Sequence, residues 1–158
     1  MRRVSLLALI VIVLVADQAT KAFVRASLPR EEPRRYGVLT LLHTENRGAF
    51  LSLGSNLPQD VRVTIFDGFV AFALIVAAVM LFRGMLELGG DRIAVALLVA
   101  GGLGNLIDRI RFRGLVTDFL LLSAGPLHTG VFNVADMAVT AGVTWLIASW
   151  IASRTRRV

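Results

Sequence analysis

Four long apolar stretches constrain this chain more than any other feature, because each approaches the length of about 20 residues that a helix needs to cross a bilayer. They lie near residues 4–24, 63–82, 92–110 and 131–152. The composition agrees, since 56% of the 158 residues are hydrophobic and the mean hydropathy is +0.72, more than a soluble core requires. The sequence therefore predicts one integral membrane domain, residues 1–158, with four transmembrane helices.

The first stretch also resembles a cleavable signal peptide, because Arg2 and Arg3 precede a short apolar run. The small-residue positions where cleavage would occur are poor, since Leu14 precedes Ala16 and Lys21 interrupts the next candidate. We therefore expect a retained helix.

Arginines near short segments set the predicted orientation. Three short segments carry a cluster of them: Arg2, Arg3, Arg83, Arg92, Arg154, Arg156 and Arg157. Both termini are therefore predicted to be cytoplasmic. Helices one and three then run outward and helices two and four run inward, which brings four acids to the outer boundary: Asp17, Asp67, Asp108 and Asp136.

The outer segment, about residues 25–62, is too long for a simple connection. Residues 38–43 and 49–53 have apolar, β-tolerant character, and glycines and Pro58 punctuate them. We expect a small extracytoplasmic β element between helices one and two, added to an otherwise all-α membrane protein.

The composition also narrows the chemistry. Cysteine is absent, which excludes disulfides, thiolate catalysis and cysteine-ligated zinc. Two histidines, His43 and His128, are too few for a histidine-built metal site. The net charge of +6 and the pI near 11.4 are better explained by arginines at lipid headgroups than by nucleic-acid binding.

The fourth helix carries a polar stripe at helical spacing: Asn133, Asp136, Thr140 and Thr144. Such a stripe is expected to face the bundle interior rather than lipid. For the two threonines, a helix-packing seam of hydrogen bonds is the favoured interpretation. Asp136 lies close to other acids, and because intramembrane carboxylates are costly, we interpret it as functional.

Two more acids have simple structural interpretations. Asp17 and Lys21 are four residues apart, in the orientation that favours a helical ion pair. Asp67 lies close to the expected start of helix two, where a carboxylate stabilises the helix dipole.

Helix three combines small and polar residues. Its glycines, Gly101, Gly102 and Gly104, predict close helix packing. Asp108 and Arg109 either form an interfacial charge pair or belong to a site, in which Arg109 would orient a substrate backbone or a lipid phosphate.

Asp118 lies in an apolar neighbourhood, residues 114–120, that would partly desolvate its carboxylate. If it approached Asp136, repulsion would make the pair share one proton. One carboxylate could then take a proton from water while the other polarised a carbonyl group, as in an aspartic protease. Spacing alone leaves this pairing a hypothesis.

Five short motifs, in this order, resemble those of lipoprotein signal peptidases (signal peptidase II), a family of bacterial membrane aspartyl proteases with four helices. They are residues 17–21 (DQATK), 46–49 (NRGA), 104–109 (GNLIDR), 116–119 (VTDF) and 132–136 (FNVAD). The resemblance covers nearly the whole chain. Each motif alone is weak, whereas five in order on a four-span topology are specific. The resemblance also implies a small β cradle for the outer segment.

Carried over by position, the resemblance implies that Asp118 and Asp136 are the catalytic pair. The implied substrate-binding residues are Asp17, Asn46, Asn105, Arg109 and Asn133, and the implied supporting residues are Lys21, Gly48, Asp108 and Ala135.

The implied reaction is hydrolysis of the bond before a diacylglyceryl-modified cysteine in a prolipoprotein, with no metal or cofactor. The resemblance implies a monomer that contacts membrane lipids in the bacterial inner membrane, with its active site near the outer, periplasmic face.

Two alternatives remain open. A proton-coupled transporter would also use acids and a lysine in a helical bundle, although it would place them near the midplane and often show repeated halves. A non-catalytic assembly or lipid-binding protein would use the polar stripe only to join helices.

Overall fold

The computed structural model describes residues 3–30, 32–46, 58–86 and 89–155. Its elements, in chain order, are α1 (Arg3–Ser27), β1 (Arg34–Tyr36), β2 (Leu39–Asn46), α2 (Gln59–Arg83), α3 (Gly89–Arg111), β3 (Val116–Ala124), β4 (Leu127–His128) and α4 (Val134–Thr155). These helices match the four predicted stretches, with ends that differ by a few residues.

Three of these helices, α1, α3 and α4, are long and apolar enough to cross a membrane. Large apolar side chains cover their outer surfaces, including Ile12, which is 65% exposed, and Trp150, which is 56% exposed. The crossing by α2 remains a prediction, although Phe69 and Phe72 also lie exposed on its surface. Such surfaces suit lipid, which replaces water around the helices.

Helix α3 lies at the centre of the bundle and packs against the other three helices. Glycines allow the close approach of α4: a Cβ added at Gly101 would collide with the carbonyl oxygen of Ala135, and one at Gly142 would lie 2.6 Å from the carbonyl oxygen of Ala94. This packing confirms the role predicted for the glycines of helix three.

The strands form one antiparallel sheet in the order β1-β2-β3-β4. Strands β1 and β2 lie between helices one and two, as predicted, whereas residues 49–53 of the prediction lie outside the described residues. Strands β3 and β4 come from the α3–α4 connection, which the sequence did not assign to the sheet. A buried apolar cluster of Val24, Leu28 and Phe119 fastens this sheet to the end of α1.

The polar stripe of α4 follows the prediction only in part. Asn133 is buried and Thr140 lines a cavity beside Asp136, whereas Thr144 is exposed on the surface of α4. The physical reason is that α4 packs against the bundle through a neighbouring row of small residues, Ala135, Ala138 and Gly142. The expectation of an inward-facing position was therefore wrong for Thr144.

Candidate active site

The ends of α1 and α3 and the start of α4 meet beside β2 and β3, where polar side chains form one connected cluster. The structure brings together these residues singled out from the sequence: Asp17, Lys21, Asn46, Asn105, Asp108, Asp118, Asn133 and Asp136. Three of the four acids that the topology predicted to gather, Asp17, Asp108 and Asp136, therefore lie in this cluster.

Asp118 lies on β3 and is only 1% exposed. Its carboxylate accepts hydrogen bonds from the amide nitrogens of Asn133, at 2.7 Å, and Asn46, at 2.9 Å. The sheet register explains the second contact: Asp118 pairs with Thr44, so the side chain of Asn46, two residues further, lies on the same face. Burial is the main cause that raises the pKa of Asp118 to about 6; Asp136 raises it further, and the two amide hydrogen bonds oppose the rise.

Asp136 lies in the first turn of α4, which Asn133 caps. The Oδ1 atom of Asn133 accepts a hydrogen bond from the N–H of Asp136 at 2.9 Å, and Oδ2 of Asp136 accepts one from the N–H of Asn133 at 3.0 Å. This reciprocal arrangement is a capping box, and the helix dipole adds to it, because a carboxylate in the first turn is stabilised.

A backbone bridge holds this helix start against β3. The N–H of Phe132 donates to the carbonyl oxygen of Leu120 at 2.8 Å, and the N–H of Leu120 donates back at the same distance. The bridge places Asn133 beside Asp118. One residue, Asn133, therefore contacts both Asp118 and Asp136.

Asn105, on α3, connects the two acids to a buried cation. Its amide nitrogen donates to Oδ1 of Asp136 at 2.8 Å. Its amide oxygen accepts from the ammonium group of Lys21 at 2.9 Å and from the amide nitrogen of Asn133 at 3.1 Å.

Lys21 is fully buried between two carboxylates, 2.9 Å from Asp17 and 3.4 Å from Asp108. The predicted helical ion pair between Asp17 and Lys21 is confirmed. The contact with Asp108 was not predicted, because it joins α1 to α3 across the bundle and leaves no local signal in the sequence.

The two buried carboxylates also fix the backbone. Asp17 accepts a hydrogen bond from the N–H of Ala135 at 2.9 Å, and Asp108 accepts one from the N–H of Thr117 at 3.1 Å. Each of these N–H groups belongs to the residue just before one of the paired acids. Both acids are therefore positioned through their own main chain.

Sequence reasoning did not single out three polar residues of this network, Gln18, Arg25 and Thr117. Arg25 donates to the hydroxyl of Thr117 at 2.8 Å and lies 3.7 Å from Asp108. Gln18 donates to Asp108 at 3.4 Å. The four-residue spacing could have identified Arg25, because it places Arg25 one helical turn after Lys21, on the same face of α1.

Among the described residues, Arg109 forms an ion pair with Asp67 on α2, outside this cluster, at a distance of 3.7 Å. Two structural interpretations were therefore wrong. Asp108 turns to Lys21 rather than to its neighbour Arg109, because adjacent residues on a helix point in different directions. Asp67 is not at a helix terminus, since α2 begins at Gln59. Gly48 lies outside the described residues.

A cavity of about 730 Å³ opens onto the two acids. Asn46, Asp118 and Asp136 line its polar end, and Leu122 and Phe132 contribute to its apolar walls. A few convergent polar groups in an apolar cavity are typical of a binding site. This cavity suits a largely apolar substrate with a polar group near the acids.

Comparison with known proteins identifies the family of this chain. Residues 9–152 match the family model described as signal peptidase (SPase) II. The lipoprotein signal peptidase of Desulforapulum autotrophicum is 37% identical over 137 residues, which cover 84% of this chain and 82% of the relative. That of Syntrophus aciditrophicus is 34% identical over 151 residues, covering 92% and 91%.

A solved structure described as a bacterial membrane enzyme has the same fold, with a TM-score of 0.85. Its sequence is 24% identical, and the match covers 99% of this chain and 93% of that one.

The fold and the site define a helical membrane protein whose acids and amides meet at one end of its bundle. The family match and the relatives go further: the chain belongs to the signal peptidase II family. It is therefore a peptidase, and the resemblance carried by the five motifs is confirmed. Family membership selects the peptidase interpretation over the transporter and the assembly protein.

Proposed function

We propose that this chain is an aspartic endopeptidase that removes signal peptides from prolipoproteins by hydrolysing the bond before the diacylglyceryl-modified cysteine. The family supports the reaction, and the relatives named lipoprotein signal peptidases support the substrate. The observation that carries the aspartic mechanism is the double contact of Asn133, whose amide donates to Asp118 and whose backbone N–H donates to Asp136.

In this proposal Asp136 is the general base and Asp118 holds the proton of the pair. Asp136 accepts hydrogen bonds from Asn105 on Oδ1 and from the N–H of Asn133 on Oδ2, so both of its oxygens act as acceptors, as a base requires. Asp118 is buried, and its pKa of about 6 favours the protonated form more than an exposed carboxyl would.

Hydrolysis then follows in two steps. A water molecule gives a proton to Asp136 as its oxygen attacks the scissile carbonyl carbon, while Asp118 gives its proton to the carbonyl oxygen. The intermediate collapses when the proton on Asp136 passes to the leaving nitrogen and the hydroxyl proton returns to Asp118. The products are a carboxyl group on the signal peptide and a free amino group on the lipid-modified cysteine.

Three amide groups and one guanidinium group would hold the extended substrate backbone. We assign this role to Asn46, Asn105, Asn133 and Arg109, because a peptide in a dry cavity needs partners for its own polar groups. Asp17 was expected to bind substrate, but it is 0% exposed. We therefore assign it to holding the backbone before Asp136.

We further propose that all four helices cross the inner membrane, that both termini are cytoplasmic and that the site opens at the outer face. This orientation suits a lipid-anchored substrate, whose scissile bond lies close to the membrane surface. Because the chain lacks cysteine, the variants Ala124→Cys and Ser153→Cys each carry one label site. An impermeant maleimide added to intact spheroplasts should label Ala124→Cys alone; labelling of Ser153→Cys alone would reverse the topology.

We also propose that the enzyme is a monomer that contacts membrane lipids. Light scattering of the detergent-purified chain, corrected for bound detergent, should give the mass of one copy, and the mass of two copies would contradict the proposal.

The peptidase itself is tested by a gel-mobility cleavage assay with purified protein and prolipoprotein, with or without the diacylglyceryl group. Wild type should cleave only the lipidated form, and Asp118→Asn and Asp136→Asn should abolish cleavage while remaining folded. Asp91→Asn, the same change at the far end of α3, is the matched control and should cleave normally. Retained activity in either active-site variant would overturn the mechanism.

A further inference from the structure

The buried cation beneath the acid pair makes a contact that its ion pairs do not explain. Lys21 lies against the carboxylates of Asp17 and Asp108 and is fully buried. Buried ion pairs contribute little net stability, because desolvation of the charges offsets their attraction. The third contact of the ammonium group, 2.9 Å from the amide oxygen of Asn105, leads towards the reaction centre.

This contact determines which way the Asn105 amide points. The oxygen and nitrogen of an amide have the same shape, so their partners decide the orientation. A lysine ammonium group can only donate, so the atom of Asn105 beside Lys21 is the oxygen. The amide nitrogen then faces Oδ1 of Asp136 at 2.8 Å. Asn133 supports the same orientation by donating to the amide oxygen at 3.1 Å.

We propose that Lys21 is a positioning residue of the peptidase reaction, which acts through Asn105 to keep an N–H donor, rather than a carbonyl oxygen, against Asp136. An oxygen at this distance would be compatible only with a protonated Asp136, because two acceptors need a proton between them. A protonated Asp136 cannot accept the proton of the attacking water. The inference rests on the proposed function and adds to it how the base is kept unprotonated.

Lys21 also acts through space, since its charge lowers the pKa of Asp118. Other charged groups face the same network from α1, α3, β3 and α4: Asp17, Arg25, Asp108, Asp118 and Asp136. The test must therefore distinguish the effect of Lys21 on the orientation of the Asn105 amide from the electrostatic effect of its charge on the nearby carboxylates.

The first measurement is the pH dependence of cleavage by the full-length Lys21→Met enzyme on diacylglyceryl-modified prolipoprotein. The loss of a hydrogen bond from a charged donor predicts a fall in kcat of about 10- to 100-fold. KM should change little, because Lys21 is buried away from the substrate. The pH–rate profile should move to higher pH, since Asp136 is more easily protonated. A wild-type profile would overturn the proposal.

The second measurement separates the two effects without relying on activity. The infrared band of the protonated Asp136 carboxyl group, identified by its loss in Asp136→Asn, is followed against pH. Lys21→Met should make this band appear at higher pH when Asn105 is present, and should shift it less in the Asn105→Leu background, where no amide can be oriented. Equal shifts in both backgrounds would mean that Lys21 acts by charge alone, and the proposal would be wrong.

A second genetic background keeps the test valid if the Lys21→Met enzyme does not fold. Lys21→Met leaves the buried carboxylates of Asp17 and Asp108 without their cation, so the same series is repeated with Asp17→Asn, which removes one of the two charges; Arg25 remains 3.7 Å from the other. Asp17→Asn alone is then the reference, and the difference between the two proteins reports Lys21. If wild type does not cleave, the proposed function fails; if it cleaves and the Lys21 changes leave the profile and the band unmoved, only this inference fails.

Discussion

Gly104 lies against the buried carboxylate of Asp17, and its replacement by alanine tests how the site is held. A Cβ added at Gly104 would lie 2.5 Å from Oδ2 of Asp17 and 3.2 Å from the Cβ of Ala135. The carboxylate cannot move freely, because it holds the ammonium group of Lys21 and the N–H of Ala135, each at 2.9 Å.

The expected cost follows from these contacts. Overpacking of a tight interior costs about 1–3 kcal/mol, and weakening the charged hydrogen bond to Ala135 costs about 1.5–3 kcal/mol. The greater helix propensity of alanine offsets about 1 kcal/mol. We expect Gly104→Ala to lower the free energy of unfolding by about 2–5 kcal/mol. We also expect kcat to fall, because Ala135 moves together with the neighbouring Asp136.

Gly68, on α2, provides the matched control. A Cβ added there meets nothing within 4 Å, so Gly68→Ala should be neutral or more stable by up to about 1 kcal/mol. Thermal unfolding of both variants in the same detergent, followed by cleavage assays, measures the difference. Equal melting temperatures would refute the reasoning, because the carboxylate of Asp17 would then be free to yield.

Three further changes test separate contacts. Asn133→Ser keeps a capping oxygen for α4 but removes the donor to Asp118, so we expect a loss of stability of about 1.5–3 kcal/mol together with a large loss of kcat; a wild-type kcat would contradict the role of this donor. Because burial raises the pKa of Asp118 from 3.8 to about 6, the folded state binds this proton more tightly, and the stability it contributes is lost as pH rises through that window. Between pH 4 and pH 8 the free energy of unfolding of wild type should therefore fall by up to about 3 kcal/mol more than that of Asp118→Asn. Equal pH dependence of the two proteins in thermal unfolding would disprove the shift. Thr144→Val should change stability by less than about 0.5 kcal/mol, because the side chain lies outside the bundle; a large loss in the same assay would place Thr144 in the interior.

Local rules were sufficient for the parts of the fold that depend on length and periodicity. Apolar runs located the helices, and the four-residue spacing of Asp17 and Lys21 predicted their ion pair. The alternating direction of successive helices also placed the acids of α1, α3 and α4 at one end. These inferences need no knowledge of which helix touches which.

The parts that failed depend on contacts between distant segments. Strand β3 reads as an apolar run, and its pairing with β2 is set by a register that no local pattern encodes. The outward position of Thr144 depends on which face of α4 packs, and small residues such as Ala138 determine that face. The hydrogen bond from Lys21 to Asn105 joins two helices, and neither of the two motifs predicts it alone.

The site draws on elements spread along most of the chain, with Asn46 on β2, Asn105 on α3, Asp118 on β3 and Asp136 on α4. During synthesis α4 follows all the others, so the two acids cannot meet until that helix has entered the bilayer and its first turn has docked on β3. A partly translated chain is therefore inactive as a protease. Proteolytic activity arises only after the last of these elements, α4, is in place.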